Sequence, residues 1–229
     1  MIPSISVVFW NNEKCVEPFL FFLRKSFTQF KYNLFLFDNG SIDRTLIKLK
    51  ENLEEGDTLL TSMENIGCPK SANITLRAIR EKFGSNTGTF FMNSDIFILR
   101  TNSLHCMERD ADRDKNIGIV YSKIYHPDDW QIHPPGWCLC YIPKKTLDLV
   151  GDFDERFKIY YSDTDYAHRI RIAGLKKQVV CGDSAALHYY GESTIRGNSF
   201  EQRESNIKED KAAYEMKWGY KVGRGFQED

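Results

Sequence analysis

Twice in the first half of this chain, a run of apolar residues stops on a polar cluster that carries aspartate. Leu34-Phe35-Leu36-Phe37 leads into Asp38-Asn39-Gly40-Ser41-Ile42-Asp43-Arg44-Thr45, and Phe90-Phe91-Met92 leads into Asn93-Ser94-Asp95. A short apolar run bounded by turn residues reads as a buried strand. A carboxylate just after such a strand lies at the carboxyl edge of a sheet, where open α/β folds bind ligands. A third cluster, Ser162-Asp163-Thr164-Asp165, follows later. Acids gathered at one edge repel each other unless they share a cation or a substrate proton. That is the demand of a metal-assisted transfer site.

The rest of the first half alternates in the same way. Strands are expected at Ile5–Trp10, Tyr32–Phe37, Thr58–Thr61 and Thr89–Met92. Helices are expected over Phe19–Phe27, begun by Pro18, and over Ser71–Phe83, with Ala72, Leu76 and Ile79 inward. Ser41 is the expected N-cap of a further helix, with Asp43 early and Leu46, Ile47 and Leu49 spaced for a buried face. This alternation predicts an α/β fold, a mostly parallel central sheet flanked by helices.

The second half changes character. Strands are expected at Ile117–Lys123, Leu139–Ile142, Val179–Cys181 and Ala185–Tyr189. Helices are expected at Lys144–Val150, stopped by Gly151, at Ser162–Ala173, stopped by Gly174, and at Glu201–Trp218. His126–Trp137 reads as an irregular loop rich in aromatics and proline. No repeat or low-complexity linker interrupts the chain. The expectation is one domain over 1–229, with 1–100 as a nucleotide-binding half and 101–229 as an acceptor half.

Composition narrows the partners. The chain has 31 basic and 32 acidic residues and a formal net charge of -1, which gives no general attraction to nucleic acid or anionic membrane. Phe19-Leu20-Phe21-Phe22-Leu23 is far shorter than the roughly 20 residues of a membrane span. It reads as a buried helix, with a shallow membrane contact as the alternative. The opening residues carry no basic secretory leader. The expected location is the cytoplasm, with a place at a membrane surface left open. The 6 cysteines form no C-x-x-C pair. Cys138 and Cys140 share a strand face near His133, but the spacing is not that of a zinc knuckle, so reduced structural thiols are expected.

The motifs also resemble a known family. Val7-Val8-Phe9-Trp10-Asn11-Asn12, the Asp38–Thr45 string, Asn65-Ile66-Gly67 with Ala72-Asn73, and Asn93-Ser94-Asp95 occur in the order of its landmarks. So do Gly151-Asp152-Phe153-Asp154-Glu155, Ser162–Arg169, His188 with Gly191-Glu192-Ser193, and Lys217-Trp218-Gly219. Together they resemble the inverting glycosyltransferases of family 2, which have the GT-A fold. Two positions depart from its pattern. Asn93 stands where the D-x-D element has its first aspartate, and Ser162 stands where a glutamate precedes the catalytic aspartate.

The resemblance implies a metal-dependent transfer of a sugar from a nucleotide-diphosphate donor, UDP favoured, to a hydroxyl of a glycan or glycoconjugate. Asp95 is the expected first ligand of Mn²⁺ or Mg²⁺, beside Asn93, and the resemblance adds His188 as a second. Asp38 is expected at the nucleobase or ribose. Trp10 and Asn12 lie where a base stacks, or else Trp10 is core. Asn65 and Asn73 fix the nucleotide, or else cap and stabilise turns. Asp163 is the expected general base. Asp165 is expected to close the helix start with Ser162 in a capping box and to pair with Arg169 one turn on. Trp137, with Trp130 and His133, is either a sugar platform or a loop tucked on the core. Asp154 either bonds a sugar hydroxyl or holds a turn. Protein or modified DNA as acceptor, and a non-catalytic nucleotide-sugar-binding relic, are the alternatives. A nucleotidyltransferase would want a glycine-rich basic loop, which Asn11-Asn12-Glu13-Lys14 is not.

Overall fold

The computed structural model describes residues 2–26, 30–128, 132–133, 137–175, 177–189 and 200–219. Side-chain alternation on the first strand, β1 (Ser4–Phe9), sets the layering. Ile5, Val7 and Phe9 join one core cluster, with Phe19, Leu20 and Leu23 of α1 (Val16–Ser26), Leu49 of α2 (Thr45–Glu51), and Leu104 and Met107 of α4 (Ser103–Asp112). The opposite face of the sheet packs a second cluster. It takes Ala72, Leu76 and Ile79 of α3 (Cys68–Phe83), Leu147 of α5 (Lys144–Val150), and Tyr166 and Ile170 of α6 (Ser162–Ile172). Helices thus cover both faces, as alternation of strands and helices requires.

The remaining strands are β2 (Asn33–Asn39), β3 (Thr58–Ser62), β4 (Thr89–Asn93), β5 (Ile96–Ile98), β6 (Ile117–Tyr125), β7 (Ile132–His133), β8 (Leu139–Ile142) and β9 (Lys177–His188). Their order is β3-β2-β1-β4-β8-β6-β9-β5, with β7 on β6. Strands β1 to β4 are parallel, so their carboxyl ends share one edge. Beyond them β8 runs antiparallel to β4 and β6, while β6 and β9 are parallel again. One sheet therefore runs through both halves of the chain. The last helix, α7 (Phe200–Trp218), packs against α6 through Tyr214 and Trp218.

Several local expectations are corrected. Ser41 does not cap α2. The helix begins at Thr45, whose N–H is held by Asp43 Oδ1 at 2.9 Å, and Ser41 Oγ instead accepts the Asn11 N–H at 3.0 Å. Ile47 is half exposed rather than inward. The Ser162–Asp165 capping box is absent, because Ser162 is already inside α6 and its hydroxyl donates to the Ile159 carbonyl. The two short strands expected after Val179 form one strand, β9. A register shift against β6 between Ser122 and Lys123 loops out Gly182–Ser184. Helix α4 and strand β5 were not expected at all.

Candidate active site

The cleft opens at the shared strand edge and encloses about 410 Å³. Trp10, Asn65, Asn93, Trp137 and Asp163, five of the expected site residues, line it, together with Asn39, Ser94 and Ser162. Asp38, Asp95, Asn12, Asn73, Asp154 and His188 do not line it directly, and their contacts differ.

Asp95 follows β4 in the turn to β5, and His188 ends β9. The antiparallel register pairs Ile96 with His188, which brings the two side chains together, His188 Nε2 at 3.2 Å from Asp95 Oδ1. The other ring nitrogen, Nδ1, is 3.5 Å from Cys138 Sγ. Burial disfavours the imidazolium, but the bonds to Asp95 and Cys138 outweigh it and lift the His188 pKa to about 10. One carboxylate and one imidazole in contact, beside the exposed amide of Asn93, suit an octahedral hard cation that takes its other ligands from a diphosphate and water. No group of three His, Cys, Asp or Glu residues surrounds a common point among the described residues. The residues present fit Mn²⁺ or Mg²⁺ held jointly with a substrate and do not form a closed structural site.

Asp38 is 1% exposed at the end of β2. Its Oδ2 accepts the Ser41 N–H at 3.3 Å, while Oδ1 is buried with no hydrogen-bond partner among the described residues. Burial raises its pKa, against the hydrogen bonds from Ser41 and Gly40. A buried carboxylate oxygen left open at a strand end is costly unless a ligand donor completes it. Gly40 has a φ of +70°, and a Cβ there would collide with the Glu64 backbone. That close approach lets Asn39 reach across, its Nδ2 to Asn65 Oδ1 at 3.0 Å and its Oδ1 to the Ile66 N–H at 2.9 Å. Asn39 was not singled out from the sequence, although it stands within the Asp38–Thr45 string.

Asn12 is buried, and its amide donates to Ser94 Oγ at 2.9 Å, tying the β1 end to the β4–β5 turn. Asn73 brackets the Phe153 backbone, donating to its carbonyl and accepting its N–H at 2.9 and 2.8 Å. Asp154 is engaged by Arg156 at 2.6 Å and by Lys217 at 2.7 Å, which hold its carboxyl far below the usual range. Trp137 lines the cleft and meets Phe153, Tyr166 and Tyr121 edge to face. Trp130 lies outside the described residues, as do the side chain of His133 and the Gly191–Ser193 motif.

The first turn of α6 carries the remaining acids. Asp163 lines the cleft, and its Oδ1 accepts the Thr164 N–H at 2.7 Å. Burial pushes its pKa up, with the Thr164 hydrogen bonds opposing. Asp165 faces away and is fully buried, paired with Arg169 as expected at 2.9 Å, and also with Lys217 at 2.5 Å and the Trp218 indole at 3.0 Å. Ahead of the turn, Asp210 of α7 accepts three successive backbone N–H groups. They are those of Lys158, Ile159 and Tyr160, at 2.9, 2.9 and 2.8 Å. The Lys158 carbonyl accepts the Cys68 N–H at 2.9 Å, which links this segment to the start of α3. Tyr161, the next residue, has a left-handed φ of +58°, one of two such non-glycine residues among those described. The other, Asn11, follows Trp10 at the cleft. Backbone strain of this kind is held only where surrounding contacts over-determine it.

This layered sheet, with its ligand edge at β1, β2 and β4, matches solved structures over nearly the whole chain. A mannosyltransferase from Pyrobaculum calidifontis, PcManGT, solved with GDP-Man and Mn²⁺, aligns over 97% of the chain at 15% identity with a TM-score of 0.69. The fold is GT-A. TarS from S. aureus aligns over 96% at 16% identity and a TM-score of 0.62. GalNAc-T7, solved with UDP, GalNAc and Mn²⁺, aligns over 91% at 13% identity and a TM-score of 0.67. The chain spans 65%, 72% and 47% of the lengths of these three GT-A glycosyltransferases. No protein-family model and no curated relative matches the sequence.

Proposed function

We propose that this chain is a metal-dependent, inverting GT-A glycosyltransferase of family 2. It moves a hexose-type sugar from a nucleotide-diphosphate donor, uridine favoured, to a hydroxyl of a glycan or glycoconjugate. The observation that carries the reading is one cleft lined by two kinds of chemistry. Asn93 and Ser94 line it and lead into the Asp95–His188 pair. The same cleft is lined by Asp163, a carboxylate with a raised pKa. PcManGT and GalNAc-T7, solved with Mn²⁺ and nucleotide or nucleotide sugar, support it by fold alone.

In this reading Asp38 takes a donor hydrogen of the nucleoside on its open Oδ1, and Trp10 offers the base a ring face. Asn12 and Asn39 position the loops around the nucleotide rather than touch it. Asp95 and His188 would hold the divalent ion, which when bound neutralises charge on the diphosphate. Among the described residues no lysine or arginine lines the cleft to share that task. Asp163 accepts the proton of the acceptor hydroxyl. The acceptor oxygen then bonds to the anomeric carbon as the bond to the diphosphate oxygen breaks on the opposite face, and one displacement inverts the configuration. Trp137 offers the acceptor an apolar wall. Asp154 is committed to Arg156 and Lys217 and follows Phe153, whose ring packs on Trp137.

The whole chain acts as one domain in this reading. The 6 cysteines as thiols suit a reducing, cytoplasmic compartment. No helix among the described residues is long and apolar enough to cross a membrane. The near-neutral charge lends nothing to a nucleic-acid acceptor. The test is a panel of nucleotide sugars assayed for transfer and hydrolysis, with Mn²⁺ and with EDTA. Turnover of at least one donor that needs the ion and falls with Asp163→Asn is expected. Full turnover in EDTA would overturn the metal assignment.

A further inference from the structure

The α3-facing row of β1 is built of small residues in the middle of a buried sheet. Ile5, Val7 and Phe9 fill the opposite core, but this row reads Ser4, Ser6, Val8. Ser4 Oγ is satisfied by Thr87 Oγ1 at 2.7 Å. Ser6 is 1% exposed, and its Oγ has no hydrogen-bond partner among the described residues, yet it lines the cleft. Ala72, on α3, lines the same space, so small residues face it from both the sheet and the helix. Interiors pack as tightly as organic crystals, and small residues on both sides leave a recess. Val8, Phe91 and Phe153 complete its walls.

The register places this recess. Ser6 pairs with Phe91 and Val8 pairs with Asn93, so Ser6 lies one pleat repeat below the strand end. That repeat is about 7 Å. The recess therefore extends inward from the edge where the donor diphosphate and sugar are placed above. Its chemistry is specific: apolar walls, and a single hydroxyl at the base. A bare sugar hydroxyl would leave the walls unmatched. A deoxy-sugar methyl would leave Ser6 unsatisfied. A carboxylate would enter without a counter-charge, since no lysine or arginine among the described residues lines the cleft. An acylamino group offers both a methyl for the walls and a carbonyl oxygen for the hydroxyl.

We propose that the recess is a specificity pocket for an acylamino substituent of the donor sugar, with Ser6 donating its hydroxyl hydrogen to the acyl carbonyl oxygen. This rests on the nucleotide-sugar reading above and narrows the donor to acylated amino sugars.

The experiment is calorimetric titration of the full chain in Mn²⁺ with UDP and two matched pairs of donors. These are UDP-glucose against UDP-N-acetylglucosamine, and UDP-galactose against UDP-N-acetylgalactosamine. In at least one pair the acetylated donor is expected to bind about tenfold or more tightly. Ser6→Ala should reduce that preference about fivefold, the worth of one hydrogen bond. Ser6→Val, whose extra methyl fills the recess, should abolish it. Melting curves and UDP titration report whether each variant is folded, and if Ser6→Val fails to fold, Ser6→Ala decides. Equal affinity within both pairs, or an undiminished preference in folded Ser6→Ala, overturns the pocket while leaving the donor reading intact. Failure of the wild-type chain to bind UDP or any of the four donors overturns the uridine-donor reading and the pocket with it.

Discussion

The two faces of the first turn of α6 differ in how completely they are satisfied. Toward α7, Asp165 is fully buried and meets a guanidinium, an ammonium and an indole N–H. Toward the cleft, two residues earlier, Asp163 accepts hydrogen bonds only from its own helical turn among the described residues. The first carboxylate has both oxygens taken up by these partners, which leaves no capacity for a substrate. The second is desolvated without a cation, and its pKa is raised, the state that suits a group which must receive a proton. One helix start thus carries an acid consumed by structural partners and an acid open to the cleft, separated by which element each one faces. Asp210 extends the structural side by holding the three peptides that lead into the turn.

The largest expected effect comes from Asp163→Asn. Turnover should fall by roughly 10²-fold or more, the scale of general base catalysis, while donor affinity measured by titration survives. The same variant should melt at the wild-type temperature or above it near neutral pH. Burial holds the folded pKa of Asp163 above its unfolded value, so its carboxyl contributes stability only when protonated, and that contribution is lost as pH rises through the folded pKa.

Asp165→Asn should do the reverse. Removing one partner of a buried ion pair costs about 3–5 kcal/mol. At about 2–4 °C per kcal/mol, the melting temperature should drop on the order of 10 °C, with turnover per folded molecule largely kept. A thermal melt that leaves Asp165→Asn as stable as the wild type would dissolve the distinction between the two faces.

At the β4–β5 turn, Asp95→Ala and His188→Ala should each lose most of the Mn²⁺-dependent part of nucleotide binding. The expected loss is roughly 10²-fold if the ion supplies several kcal/mol of charge stabilisation. Titration of UDP with and without Mn²⁺ reads this, and unchanged metal dependence in both variants would remove the ion from this edge.

A smaller effect is expected for Asp210→Asn. It keeps one acceptor oxygen, so kcat should fall several-fold with little change in donor KM, and amide exchange at 158–160 should speed up. A rise in donor KM without loss of kcat would place the role of Asp210 elsewhere.

The sequence was legible where the cause of structure is local. Leu139–Ile142 and Lys144–Val150 have the bounds read from their own residues, and the strands ending at Asn39 and Asn93 were visible as apolar runs cut by polar clusters. Pairing of Asp165 with Arg169 follows from helical spacing alone. Helix α4 was missed although Leu104, Met107 and Ala111 carry the i, i+3, i+7 spacing of a buried face. The capping box failed because Tyr161 takes a left-handed backbone and moves the helix start by one residue. Asp210 had no signal to offer, since it is one acid among many charges on α7 and its partners lie some fifty positions earlier. Lys217 was visible as part of the Lys217-Trp218-Gly219 landmark, but nothing local showed that it joins Asp154 and Asp165 across the chain. Non-local polar contacts are set by tertiary packing, which a local pattern does not encode.

In the proposed reaction Asp163, not Asp165, takes the acceptor proton. The most direct test is the pH dependence of the single-turnover transfer rate in the wild type and in Asp163→Asn and Asp165→Asn, with donor bound at saturation. A rising limb is expected whose apparent pKa lies above the ordinary carboxylate range, kept in Asp165→Asn and absent from the residual rate of Asp163→Asn. The same limb in Asp163→Asn, or its disappearance in a folded Asp165→Asn, would contradict the assignment.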